Sequence, residues 1–334
     1  MPQNLGVLSV ITQRPRRNRK SENMRSLVRE TIVTPKDLIA PLFVMEGKEV
    51  AVPIKSMPGQ FRFSIDKLIE EAKHLQDLGI PCISIFPVIE DKLKDPKALE
   101  SLNPNGLYPR AISALKDACP NLLVMTDVAL DPYSSMGHDG IYDEKADRIL
   151  NDQSLEILAA MSIVQAKAGS DIVGPSDMMD GRVGYIRSAL DQSGFEDVSI
   201  MSYAIKYASH FYGPFRDALD SKPRKGDKKT YQMDFSNSKE AILEALLDEK
   251  EGADILMVKP GLPYLDIISK LRDKTNLPIA AYNVSGEYAM IKAADEFGWV
   301  NGKMCMVESL TALKRAGCNM ILTYFAKEMA EYLN

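Results

Sequence analysis

The sequence is short of the features that would mark several common classes. Cysteine is sparse: Cys82, Cys119, Cys305 and Cys318 are the four in 334 residues, and none stands at CxxC spacing. That pattern argues against a cysteine-built zinc site, suits a reducing, cytoplasmic setting and reads as core filler. No apolar run approaches the ~20 residues of a membrane span. The opening LGVLSVI is too short, and lacks the basic lead, for a secretory signal. A basic surplus is missing too: the net charge of -5 does not advertise nucleic acid or membrane as a partner. One local exception is RPRRNRK, Arg14 to Lys20. Such an arm can bind nucleic acid or clasp a neighbouring subunit, and composition alone leaves both open. A glycine-rich phosphate loop after the first apolar run is also absent, since LFVMEGKEV is not one.

What is present is a soluble globular composition, 45% hydrophobic and 26% charged, able to bury a large core. Eight β-rich runs recur: Leu38–Val44, Cys82–Val88, Leu122–Leu130, Ser170–Ser176, Ser199–Ala204, ADILMVKP from Ala253, Pro278–Val284 and Asn319–Phe325. They are continuously apolar rather than alternating, as parallel strands covered on both faces are. Between them lie segments of helical period. SIDKLIEEAKHLQDLG places Ile65, Leu68, Ile69, Ala72, Leu75 and Leu78 on one face and stops at Gly79. A second segment is expected to start on Asp152 or Ser154 as its cap and to end on Gly169, and a third to run from Ser238 to Gly252. Some eight strand–helix alternations without a composition break predict an α/β fold, a (β/α)8 TIM barrel, over an open doubly wound sheet. The expected division is an N-terminal arm, 1–35, and a catalytic barrel, 36–334. The non-periodic stretch from His210 to Phe235, rich in Arg, Lys and aromatics, reads as an active-site lid for an anionic ligand.

Barrel chemistry gathers where strands finish. The endings here are polar: Asp127, Ser176 and Asp177, Lys206, Lys259, Ser285 and Tyr324. A lone lysine at a strand end is usually a solvated charge, and Asp177 has a plain reading as a helix cap. Two lysines aimed at one mouth are different. Mutual repulsion and poor solvation depress an ammonium pKa and expose a neutral amine, which attacks ketones to give Schiff bases. Pro260, with no N–H and a fixed φ, ends the strand and stiffens the carrier of Lys259.

The segments MSYAIKYASHFYGPFRDA, DILMVKPGLPYLDII, GPSDMMDGRVGYIR and YNVSGEYAMIKAA resemble the signature segments of the porphobilinogen synthase (5-aminolevulinate dehydratase) family. The likeness extends from the arm to the final LTYF. It implies a (β/α)8 barrel with an extended arm, usually assembled as a homo-octamer, which favours the subunit-clasping reading of RPRRNRK. It also implies a lyase that joins two molecules of 5-aminolevulinate into porphobilinogen, releasing two waters, in tetrapyrrole biosynthesis. By that resemblance Lys259 matches the Schiff-base lysine of the P-side substrate and Lys206 that of the A-side substrate. Asp127 matches an aspartate near the reacting centre, with Ser176 beside it. Arg216, Lys228 and Gln232 match the groups that grip the A-side carboxylate, Ser285 and Tyr324 those for the P-side carboxylate, and Tyr212 and Phe215 wall the pocket. Where several members carry arginine, this chain has Lys228, which keeps the charge but loses bidentate geometry; Lys229 is placed to share the task.

The stretch DVALDPYSSMGHDG bears on metal. Zinc-dependent members place three cysteines at the positions of Ala129, Asp131 and Asp139. Zinc prefers thiolate and imidazole, whereas oxygen ligands suit magnesium or no tightly held metal, so no tightly bound catalytic zinc is expected and Asp131 and Asp139 are candidate weak ligands. His138 is a further weak candidate, and Met136 stands where related sequences commonly carry histidine. This version of the loop resembles the magnesium-responsive branch, in which a hydrated Mg2+ at a subunit interface acts allosterically. Glu244 falls at the matching position, where the plain alternative is a surface glutamate. Two other readings compete. A one-lysine aldolase leaves Lys206 unexplained and lacks a phosphate cradle near LTYFAKEM. A non-catalytic scaffold gives no reason for paired lysines.

Overall fold

The computed structural model describes residues 11–219 and 223–334. Two compact units divide the chain after Ile32. The described part of the first holds a 3-10 turn, Pro15–Arg19, and a short helix, Glu22–Leu27, whose N-cap Ser21 accepts from the Met24 amide at 3.3 Å.

The second unit, Val33–Asn334, is a closed parallel barrel. Its strands are β1 (Leu38–Val44), β2 (Cys82–Pro87), β3 (Leu123–Val128), β4 (Ile172–Pro175), β5 (Ser199–Lys206), β6 (Ile255–Lys259), β7 (Ile279–Asn283) and β8 (Met320–Thr323). Each pairs in parallel with the next, and β8 closes on β1 through Leu38↔Ile321 and Ile39↔Leu322. The unbroken apolar runs have the cause the sequence suggests. One face of each strand fills the barrel and the other packs under helices, so β1 and β2 are buried along their whole length. The helices Ile65–Asp77, Asn151–Ala168, Lys239–Glu251 and Gly302–Ala316 are followed by glycines at positive φ: Gly79, Gly169, Gly252 and Gly317. Among the described residues no helix is long and apolar enough to cross a membrane.

Several local expectations are corrected. The helix expected to start on Asp152 or Ser154 starts at Asn151, with Leu150 as its N-cap; neither Asp152 nor Ser154 is the cap, and the Ser154 hydroxyl donates to the Leu150 carbonyl at 2.7 Å and accepts from Ile141. Ser238 does stand at the N-cap of the Lys239–Glu251 helix and Gly252 at its C-cap, but the Ser238 side chain makes no capping bond. Asp177 accepts from the Met179 amide at 2.8 Å and shapes the turn before Gly181, the actual N-cap. The stretch read as non-periodic contains a 3-10 turn, His210–Tyr212, and a helix, Gly213–Leu219. Short hairpins, Ala51–Pro53 with Phe61–Phe63 and Ile141–Asp143 with Arg148–Leu150, went unread because three-residue strands carry no period to see.

Candidate active site

Lys206 and Lys259 are the last residues of β5 and β6 and stand opposite each other in register. The strands run one residue or more past where apolarity ends, and this carries both amines into the mouth rather than beyond it. Their surroundings differ. Lys259 is 6% exposed, and its Nζ lies 4.6, 5.0, 5.1 and 5.1 Å from the ring centroids of Tyr282, Tyr203, Tyr212 and Phe215. Burial, then the charge of Lys206, pushes its pKa down to about 7, against Asp127, Asp139 and Asp131. The Lys206 Nζ instead donates to the Ser176 carbonyl and sits 3.5 Å from Asp139 Oδ2. One lysine occupies an aromatic box, its neighbour an oxygen cradle.

Asp127 is held by its backbone. Its N–H donates to the Tyr108 hydroxyl at 2.7 Å, which donates in turn to the Ile85 carbonyl at 2.6 Å. Its carbonyl accepts from Gln165 Nε2 at 2.9 Å, and the Gln165 oxygen accepts from Thr126 at 2.7 Å. The carboxyl is buried, which with the nearby Asp131 pushes its pKa up to about 7; the Ser176 hydroxyl and both lysines oppose this. A buried carboxyl and a buried amine that both titrate near neutrality can exchange a proton at little cost.

Lys228 bridges the acidic pair: its Nζ is 2.8 Å from Asp139 Oδ1 and 3.2 Å from Asp131 Oδ2. Burial favours the neutral form of Asp139, but the ammonium groups of Lys206 and Lys228 outweigh it and hold that carboxyl below the usual range. Burial raises Asp131 despite Lys228. Gln232 donates to Asp139 at 3.3 Å, and its Oε1 has no partner among the described residues. His138 is not placed as a ligand, since Nδ1 faces the Tyr231 hydroxyl at 3.2 Å and Nε2 the Lys225 carbonyl at 2.9 Å. Thiolate is missing and the one imidazole is committed, so the residues present do not fit a tight zinc site.

The helix Gly213–Leu219 brings Phe215 edge-on to Phe86 (5.1 Å) and puts Arg216 at the mouth. Among the described residues Arg216 has no hydrogen-bond or ion-pair partner. Ser285 clasps this helix by accepting from the Phe215 amide at 3.0 Å. Gly286 follows because a Cβ there would lie 2.5 Å from the Phe211 carbonyl oxygen. The Tyr324 hydroxyl is 2.9 Å from that of Tyr282. Asp127, Asp131, Asp139, Ser176, Lys206, Tyr212, Phe215, Arg216, Lys228, Gln232 and Lys259 therefore share one cavity of about 30 Å³, room for no more than one or two waters.

Glu244 lies apart, half-buried on the Lys239–Glu251 helix, and lines a cavity of about 380 Å³ with Asp180 and Glu240. Burial raises its pKa; Arg182 opposes, and Asp248, Asp180 and Glu240 reinforce. Lys229 lines that cavity rather than the mouth, so it does not supplement Lys228. The sequence reading missed Tyr203 and Tyr282, which fit the apolar pattern of their strands as well as any valine. It also missed Glu287, for which a glutamate three residues after an N-cap was the available signal.

The sequence matches the delta-aminolevulinic acid dehydratase family over residues 12–332. It is 55% identical over 324 residues to the chloroplastic delta-aminolevulinic acid dehydratase of Oryza sativa subsp. japonica, covering 97% of this chain and 76% of that protein. With the delta-aminolevulinic acid dehydratase of Bradyrhizobium diazoefficiens it shares 52% over 321 residues, 96% and 90% of the respective lengths. Among solved structures, the Toxoplasma gondii ME49 delta-aminolevulinic acid dehydratase (porphobilinogen synthase), in complex with the reaction product porphobilinogen, superposes with a TM-score of 0.95. It is 55% identical, over 97% of this chain and 92% of that one.

Proposed function

This chain belongs to the delta-aminolevulinic acid dehydratase family, and from that premise we propose how its residues divide the work. The reaction is the asymmetric condensation of two 5-aminolevulinate molecules to porphobilinogen with release of two waters. The observation that carries the residue assignment is the pair of lysines side by side in unlike surroundings.

Lys259, neutral for a useful fraction of time near pH 7, adds to the ketone of the P-side substrate. Asp127 lines the same cavity as Lys259, so one carboxyl can give a proton to the departing hydroxyl and take one back later. Lys206 forms the second Schiff base, with the A-side substrate, helped by the Ser176 carbonyl and Asp139, which orient its nitrogen. Each iminium makes the adjacent carbon more acidic and its own carbon more electrophilic. Arg216 is the uncommitted guanidinium for the A-side carboxylate, and Gln232 adds an amide donor. Lys228, anchored on Asp131 and Asp139, keeps one N–H for the same carboxylate. The Ser285 and Tyr324 hydroxyls serve the P-side carboxylate; Ser285 can turn its O–H to substrate while still accepting from Phe215. Tyr212, whose hydroxyl donates to the Tyr207 carbonyl at 2.8 Å and lies 3.2 Å from the Lys259 carbonyl, and Phe215 exclude water. A single-lysine aldolase scheme leaves Lys206 idle, and a scaffold leaves both idle.

The Ser285 clasp has a measurable consequence. Ser285→Ala is expected to raise KM roughly tenfold, consistent with one lost charge-assisted hydrogen bond. It should also speed hydrogen exchange at the Phe215 amide. An unchanged exchange rate would mean that the clasp does not hold the lid.

We assign the chain to the magnesium-responsive type. Oxygen donors around a roomy, acidic cavity fit a hydrated Mg2+ held by Glu244 with Asp180 and Glu240 nearby, and such an ion would add positive charge where carboxylates repel. Among the described residues no group of three or more His, Cys, Asp or Glu side chains is arranged to hold a metal, so waters would complete the shell. The arm supports a homo-octameric assembly in which it clasps a neighbour, and the four free thiols support a reducing compartment such as the cytoplasm. The test is pyrrole formation from 5-aminolevulinate after exhaustive chelation. Turnover should persist and rise with Mg2+, and Glu244→Gln should abolish the rise while leaving basal turnover. Activity that returns only with zinc would overturn the metal assignment.

A further inference from the structure

The buried carboxyl of Glu287 takes no part in the chemistry above, yet three groups around the mouth converge on it. It is 1% exposed in the first turn of the Ser285–Glu296 helix. Oε2 accepts from the Val284 amide, closing the start of its own helix, and from Asn283 Nδ2 at 3.4 Å. Oε1 leaves the helix altogether and accepts from the Leu262 amide at 2.6 Å, in the turn that follows Lys259 and Pro260. The network continues outward: Asn283 Oδ1 accepts from Thr323 Oγ1 at 2.8 Å, and Thr323 Oγ1 accepts from the Phe325 amide at 3.1 Å, on either side of Tyr324.

We propose that Glu287 is a positioning residue which fixes Lys259 relative to Ser285 and Tyr324 by tying together the ends of β6, β7 and β8. A helix start needs only the oxygen that closes on Val284. The second oxygen, spent on a turn 25 residues earlier in the chain, serves the strand that presents the amine. The turn has little slack of its own, because a Cβ on Gly261 would meet Leu313 at 2.8 Å and the Tyr282 carbonyl oxygen at 3.1 Å. Burial pushes the Glu287 pKa up to about 8 against the pull of these donors, yet each partner is a donor, and the set is best satisfied by a group that accepts on both oxygens. Glutamine would turn an NH2 against one of them. Lys206, on β5, lies outside the network.

This inference rests on the Schiff-base assignment above, and the test separates the two. Borohydride is added in the presence of 5-aminolevulinate, and the trapped adducts at Lys259 and Lys206 are quantified by peptide mapping. The wild-type protein should trap at both lysines; trapping at neither would overturn the Schiff-base assignment and this inference with it. Glu287→Gln should lower the Lys259 adduct and kcat on the order of 10- to 100-fold, with the Lys206 adduct unchanged. Glu287→Asp, too short for Leu262 but able to reach toward Val284, should fall between. Equal loss at both lysines, or none at Lys259, would overturn the proposal. Should Glu287→Gln not fold, Thr323→Val breaks the far end of the network without touching a charge, and a selective loss at Lys259 is again the expected result.

Discussion

Lys259→Met is expected to abolish pyrrole formation, lowering kcat by on the order of 10⁴-fold or more, while making the protein harder to unfold. The two effects share one cause. Burial and the charge of Lys206 bring the Lys259 pKa from 10.5 down to about 7. The folded chain therefore binds fewer protons than the unfolded chain between about pH 7 and 10.5, and stability rises with pH across that window. Below it the cost of housing the ammonium is fully present, roughly 5 kcal/mol at about pH 6 from the size of the shift, falling to roughly 2 kcal/mol at about pH 9. Methionine keeps most of the volume and removes the titration, among four rings that accept a thioether well. Its Tm should exceed that of the wild type by several degrees at about pH 6 and by less than half as much at about pH 9. Turnover within tenfold of wild type would remove Lys259 from the chemistry. A Tm that falls at both pH values would mean the ammonium stabilises the fold and the neutral-amine argument is wrong.

The sequence carried the barrel well, because eight apolar runs punctuated by helices and glycine stops leave few topologies for parallel strands. It also carried the two lysines, since a charge closing an apolar run is conspicuous. The difference between those lysines was not legible. It depends on which side chains face each amine across strands far apart in the chain: Tyr203 and Tyr282 for Lys259, Ser176 and Asp139 for Lys206. Nor does the chain order show that Lys228 spends two donors on Asp131 and Asp139, about ninety residues away, whereas Arg216 has no such partner among the described residues. Glu287 was hidden for a different reason. Its local signal is an ordinary helix-start glutamate, and only the fold reveals where the second oxygen goes.

Asp127→Asn should lower kcat by about 10²- to 10⁴-fold, the usual weight of a general acid–base group, and should move the acid limb of the pH profile in a direction that the site's charges dictate. Asp127 and Lys259 both titrate near 7, so the apparent values belong to the pair. The Asp127 carboxylate favours the charged form of Lys259. Replacing it with an amide of the same shape removes that support, the amine loses its proton more easily, and borohydride trapping at Lys259 should reach half its maximum at a lower pH than in the wild type. Lys206→Met supplies the opposite arm. It removes the like charge that depresses Lys259, so the same half-point should move up, and turnover should be lost if Lys206 forms the proposed second Schiff base. Trapping isolates the amine from later proton transfers, which is why it is preferred to kcat as the readout. Opposite shifts in the two variants would tie Lys259 to both neighbours electrostatically. Shifts of the same sign, or none, would mean that burial alone sets its pKa, and Asp127 would then act only on substrate.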